Sequence, residues 1–185
     1  MLRQVPRTLV DTDFEDGTPQ GWSPRDDGKG APTVAVQDEV AHDSTYAVRV
    51  SDRVSQGQGI QFDVTDKATP GASYDVSAWV KFEGTPGDMT LSSRTVTGED
   101  SAAFSNLVQF TGLSSSQWVN VTGTFTMPAF DTAAEIYFET KWAQGEAGNT
   151  STFVVDDVTV RSTPVSEIQD LTPLKDTVTF PMAFT

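Results

Sequence analysis

The chain has no cysteine and a single histidine, and its 12 Lys and Arg are outnumbered by 26 Asp and Glu. Without cysteine there is no disulfide framework and no thiolate metal site, which leaves the redox compartment open. The lone histidine, His42, lies between Ala41 and Asp43 in what reads as an exposed turn, so a Ser-His-Asp triad is not expected. A formal charge of -14 and a pI near 4.2 repel phosphate backbones and anionic lipid surfaces. They argue against nucleic acid and membrane as partners, and favour neutral ligands or cations. No apolar run approaches the length of a membrane span. The first residues, MLRQVPRTLV, lack the apolar stretch of a signal peptide, so any export signal is expected to have been removed or to lie upstream. Also missing is any convincing helical period over about ten residues or more, and any internal repeat.

What is present reads almost entirely as strands. Tyr46–Val50, Ile60–Val64 and Tyr74–Phe82 alternate large apolar with polar residues between clusters of Gly, Pro, Asp and Ser. Met89–Val96, Phe104–Phe110, Trp118–Phe125, Glu135–Glu139 and Thr152–Val160 continue the series, with turn punctuation at Pro70-Gly71 and Pro86-Gly87. With 37% hydrophobic and 10% aromatic residues the chain can build a core. The pattern predicts an all-β, antiparallel β-sandwich of jelly-roll type over residues 9–161. Residues 162–185 change texture and read first as a linker. Trp22, Trp79 and Trp118 are expected in the core.

Within Glu135–Thr140, strand alternation turns Ile136 and Phe138 to one face and Tyr137 and Glu139 to the other. An aromatic ring beside a carboxylate suits a sugar: the ring meets the C–H face of a pyranose and the carboxylate accepts from its hydroxyls. The plainer reading is a Tyr and a Glu on a half-exposed strand. A second cluster joins the ends of the module: Asp11-Thr12-Asp13-Phe14-Glu15-Asp16 opens it and Asp156-Asp157 closes it, with Asp43 in a turn. Calcium takes about six to eight oxygen ligands in flexible geometry. A structural calcium is therefore expected, with side-chain oxygens from Glu15 and Asp156 and carbonyls from Asp13 and Asp43. Solvated acidic turns are the alternative, though they do not explain an Asp inside the apolar run Phe153–Val160.

Phe14-Glu15-Asp16-Gly17, Gly21-Trp22-Ser23-Pro24-Arg25, Ser73–Trp79, Tyr137–Thr140 and Phe153–Val160, taken in order, resemble the family 22 carbohydrate-binding modules attached to bacterial xylanases. Ile168–Asp176 and Phe180-Pro181-Met182 resemble the entry into a family 10 glycoside hydrolase domain. The resemblance implies a secreted, non-catalytic module, monomeric, that binds xylan or mixed-linkage β-glucan on a concave sheet. It implies ligand contacts from Arg25, Tyr137 and Glu139, with Phe104 near the place of a family tyrosine. Phe104 keeps that ring's plane but lacks its hydroxyl.

One departure matters. Xylan-binding members of the family have a Trp about four residues after an Arg, and in Ser51–Gly59 that place falls on Gly57. Loss of one aromatic platform costs on the order of 1–3 kcal/mol, roughly tenfold to hundredfold in affinity. Trp142, in a polar loop after the Tyr137 strand, is a candidate replacement, or else a ring packed on the rim. Three functions follow in order: a binding module; a degenerate module that stabilises its catalytic neighbour; a β-sandwich lyase or hydrolase, for which no carboxylate dyad is evident.

Overall fold

The computed structural model describes residues 7–143 and 148–163. Eleven strands carry the chain: β1 (Thr8–Thr12), β2 (Ser23–Arg25), β3 (Thr33–Gln37), β4 (Ala47–Ser51), β5 (Gly59–Asp63), β6 (Ser73–Glu83), β7 (Met89–Val96), β8 (Ala103–Phe110), β9 (Val119–Thr126), β10 (Ala133–Thr140) and β11 (Thr152–Ser162). All pair antiparallel, in a six-stranded sheet ordered β3-β4-β11-β6-β9 with β1 also on β11, and a five-stranded sheet ordered β2-β5-β10-β7-β8. This is the antiparallel sandwich that the alternation predicts. Residues 164–185, with the linker and the hydrolase-like motifs, lie outside the described residues.

Alternation builds the core. On β6, Tyr74, Val76, Ala78, Val80 and Phe82 are all buried, and on β10 Ala134, Ile136 and Phe138 meet them from the facing sheet. Trp22 enters this layer, its ring 5.3 Å from that of Phe62 and 5.7 Å from that of Phe138. Its indole N–H, which would be costly to bury unpaired, donates to Thr12 Oγ1 at 3.0 Å. Each large apolar side chain removed from water contributes about 1.5–3 kcal/mol.

β11 changes partner midway. Phe153–Val155 pair with β4, Val158–Arg161 pair with β1, and the register against β6 breaks between Asp156 and Thr159. Asp156 and Asp157 therefore sit at a bulge, with Asp157 at φ 48°, a left-handed conformation that Asp tolerates better than a branched residue. That explains an acidic pair inside an apolar strand.

Two expectations are corrected. Trp79 and Trp118 are not core residues. Trp79 lies at the opposite parity from the inward set of β6, so it points out of the six-stranded sheet, half-buried. His42 is not a free surface residue either: its ring stacks on Trp79 at 3.7 Å and meets Trp118 edge-on at 5.9 Å.

Candidate functional site

The middle of the outward face of the five-stranded sheet is polar and buried. Register places Tyr137 on β10 opposite Gln61 on β5 and Ser92 on β7, and Ser92 opposite Asn106 on β8. Arg25 on β2 stands opposite Gly59. Although all these side chains point away from the core, Tyr137 is 3% exposed, Glu139 6%, Arg25 8% and Ser92 0%.

Side chains reaching in from both edges cover the face. β2 and β8 are the two edges of the sheet, about 19 Å apart if it were flat at the usual strand spacing. Yet the Arg25 guanidinium lies 5.9 Å from the Phe104 ring across the sheet. The face is a cleft. Gly59, opposite Arg25, permits a close approach of backbones, because a Cβ there would overlap the Phe138 carbonyl.

Arg25 lies along that floor. Its guanidinium carbon is 3.8 Å from the centroid of Tyr137, a close cation–π contact, and Nη1 donates to the Gly57 carbonyl. Tyr137 is thus roofed by Arg25 rather than presented as a bare stacking plane, and the plainer reading of a half-exposed Tyr and Glu does not hold. Glu139 Oε1 accepts from Ser92 Oγ at 2.7 Å. Burial raises the Glu139 carboxyl above its ordinary value, Ser92, Arg25 and Arg53 oppose the shift, and Asp27 adds repulsion. Burial also pushes the Tyr137 phenol up to about 12, with the Glu139 charge adding to it. The cleft therefore combines a donor fork, a neutral phenol and a desolvated acceptor, a set matched to sugar hydroxyls.

Two aromatic rings remain open to solvent. Phe104 is 59% exposed at the β8 edge, and Trp142 is 58% exposed in the loop after β10. Trp142 is not on the floor; with Asp27, Gln56 and Gly57 it surrounds a pocket beyond the Arg25 end. At Gly57, where the resemblance places a Trp, a Cβ would stand 2.9 Å from Asp27 Oδ2, so Asp27 occupies the space in front of it.

Sequence reasoning missed Arg53. It is 6% exposed and donates to the Gln58, Ser151 and Gln56 carbonyls and to Thr140 Oγ1, at 2.8, 2.7, 3.1 and 2.6 Å. These bonds tie the 53–58 rim to β10 and β11. Burial lowers its pKa to about 10, so it remains charged at neutral pH. The resemblance used this arginine only to place Gly57, and its turn-rich segment, with Asp52 as the acidic neighbour, gave no further signal.

The acidic residues from the two ends reach one segment, 42–46. The Glu15 carboxylate accepts from the Tyr46 amide at 2.7 Å and the Thr45 amide at 3.1 Å, bonds that lower its pKa. Asp156, fully buried, accepts from the His42 and Asp157 amides, each at 2.9 Å, and burial pushes its carboxyl up to about 6. Asp13 instead turns into its own loop, accepting from Gln20 Nε2 and the Glu15 amide. Asp43 is exposed; among the described residues the group of three whose ligand atoms lie within 4.8 Å of one another is His42, Asp43 and Asp157.

Comparison with known proteins identifies a carbohydrate-binding family. The family described as "Carbohydrate binding domain" matches residues 7–151. Endo-1,4-beta-xylanase A of Thermotoga neapolitana is 30% identical over 168 residues, covering 89% of this chain and 15% of that protein. Endo-1,4-beta-xylanase A of Thermoanaerobacterium saccharolyticum is 27% identical over 158 residues, covering 85% and 13%. The chain thus spans less than a sixth of the length of either enzyme. Among solved structures, the CBM22-2 xylan-binding domain from Paenibacillus barcinonensis Xyn10C superposes with a TM-score of 0.72 at 24% identity, covering 84% of this chain and 99% of that one. The CBM22-1–GH10 modules of Clostridium thermocellum Xyn10B, complexed with xylohexaose, give 0.68 at 19% identity, covering 85% and 28%. At these identities the superpositions establish the β-sandwich. The family match goes further: this chain belongs to the carbohydrate binding domain family, as a binding module rather than a catalytic one.

Proposed function

We propose that the chain is a family 22 module that holds an attached family 10 xylanase on xylan or mixed-linkage β-glucan through the cleft of its five-stranded sheet. The carrying observation is the dry polar floor of Arg25, Tyr137, Ser92 and Glu139, which costs desolvation free energy that a sugar's hydroxyls would offset. Arg25 donates to ligand oxygens, Glu139 accepts from hydroxyls, the Tyr137 phenol does either, and the exposed Phe104 ring flanks a sugar face. Tethering then raises the substrate concentration at the catalytic domain. The xylanase relatives and the xylan-binding neighbours support this substrate class and a secreted, extracellular setting. The module acts as a monomer in this reading.

Calcium belongs to the same proposal. Asp156 is a buried carboxylate that pairs with no Lys or Arg among the described residues, and Glu15 reaches the same 42–46 segment from the other end of the module. Glu15, Asp156 and oxygens of Asp13 and Asp43 would hold the ion, which would staple the first and last strands. EDTA should lower the melting temperature and added calcium restore it; identical melting in both would remove calcium from the account.

A second reading, a structural module with no ligand, draws on two observations: Gly57 supplies no platform, and Arg25 covers Tyr137. A calorimetric titration with xylohexaose and with a mixed-linkage gluco-oligosaccharide separates the two. Saturable heat that disappears in Tyr137→Ala supports the cleft. No heat at millimolar sugar from a folded protein supports the structural role.

A further inference from the structure

Beyond the Arg25 end of the cleft lies a pocket of about 380 Å³ lined by Asp27, Lys29, Ser55, Gln56, Gly57 and Trp142 among others. Small-molecule pockets run from about 300 to 1,000 Å³, so this one suits a single sugar ring rather than a stretch of polysaccharide. One wall is an indole face that the protein leaves 58% exposed. Val54 adds an apolar side, and two of the polar groups are already fixed. The Asp27 carboxylate accepts from the Ser55 hydroxyl and, at 3.3 Å, from the Lys29 amide. Gln56 is held at both ends of its amide: Oε1 accepts from Ala143 N at 3.0 Å, and Nε2 donates to Ala143 O at 3.3 Å. Side chains positioned in advance lose little entropy when a ligand arrives.

The pocket and the cleft share Gly57. Its carbonyl receives Arg25 from the floor while its Cα faces the pocket toward Asp27. An aromatic side chain at residue 57 would meet Asp27, whose Oδ2 stands 2.9 Å from a Cβ placed there; with glycine the carboxylate takes that position on the pocket wall. We propose that the pocket takes a single uncharged sugar carried as a branch on the chain held in the cleft, such as a neutral pentose of a decorated xylan. Trp142 covers one face of the branch sugar, and Asp27 and Gln56 meet its hydroxyls. A uronic-acid branch is disfavoured because its carboxylate would approach Asp27 in a protein of net charge -14, with Lys29 as the one cation of the lining. The inference rests on the cleft reading.

The test titrates three xylo-oligosaccharides of equal backbone length: linear, with one arabinofuranosyl branch, and with one glucuronosyl branch. The wild type should prefer the arabinosyl form over the linear one by roughly three- to tenfold, the range that one aromatic contact supplies. Trp142→Ala should bring that ratio to about one, with an unchanged melting temperature because the ring is largely exposed. Equal wild-type affinities, a preference for the glucuronosyl form, or equal weakening of linear and branched forms in Trp142→Ala would each overturn it. Methyl arabinofuranoside alone keeps the two readings distinguishable. A saturable shift of the Trp142 indole N–H signal supports the pocket even if no oligosaccharide binds the cleft, and no shift at any concentration contradicts it.

Discussion

The outward faces of the two sheets obey the same alternation and end in opposite states. On the six-stranded sheet the outward residues stay wet: Asp75, Asn120, Thr122 and Thr124 are exposed, and Arg49 forms ion pairs with Glu83 at 2.9 Å and Glu39 at 2.8 Å near solvent. Its aromatic content, Trp79 and Trp118, is spent on His42. On the five-stranded sheet Arg25, Ser92, Tyr137 and Glu139 also point outward but are buried against one another, while Phe104 and Asn106 on β8 stay exposed. Burying an arginine, a phenol and a carboxylate away from the core adds cost without packing gain. Under the proposed function a bound sugar would offset that cost.

The largest expected effect comes from dismantling the rim that keeps the second face dry. Arg53→Ala strands three carbonyls and loosens the 53–58 segment, and should lower the unfolding free energy by about 3 kcal/mol or more in urea denaturation. Next are paired aromatic deletions, one on each face. Trp79→Ala should cost about 1–2 kcal/mol of stability through the lost His42 stack, with affinity for xylohexaose unchanged. Phe104→Ala should show the reverse, affinity lower by roughly three- to tenfold with the melting temperature unchanged, since the ring is 59% exposed. If both variants lose only stability, the two faces do not differ in function.

The smallest effect is in pH. The Glu139 pKa is raised in the folded protein, so the folded state binds its proton more readily than the unfolded chain does. Its ionised form therefore lowers stability at neutral pH, and that penalty is relieved as pH falls through the raised value. Binding runs the other way, since protonation removes the charged acceptor. From neutral pH down through that raised value, acidification should weaken sugar binding while narrowing the stability gap between the wild type and Glu139→Gln. A gap that is constant across this range would show that Glu139 is not desolvated.

Much of the fold was legible because β4 to β11 alternate strongly; the eleven residues of β6 state their inward face outright. The three missed strands lack that signature. Leu9 and Val10 are adjacent rather than alternate, β2 is three residues around Pro24, and β3 is a half-buried edge. Parity alone put Tyr137 and Glu139 on one face. That they are buried depends on side chains from other strands, Arg25 over Tyr137 and Ser92 against Glu139, which no local pattern encodes. Arg25 came only through resemblance, and Arg53 satisfies backbone groups distant in sequence. Trp79 was misplaced because its neighbours two residues away were taken as apolar, whereas they are Ser77 and Lys81.

The measurement closest to the central claim is Glu139→Gln, followed by titration with xylohexaose and by thermal unfolding at neutral pH. A dry cleft kept for a sugar predicts affinity lower by roughly tenfold or more, from loss of a charged acceptor, together with a melting temperature that holds or rises as the buried charge is removed. Unchanged affinity with a lower melting temperature would contradict it, and would make the buried carboxylate a structural element of the sandwich.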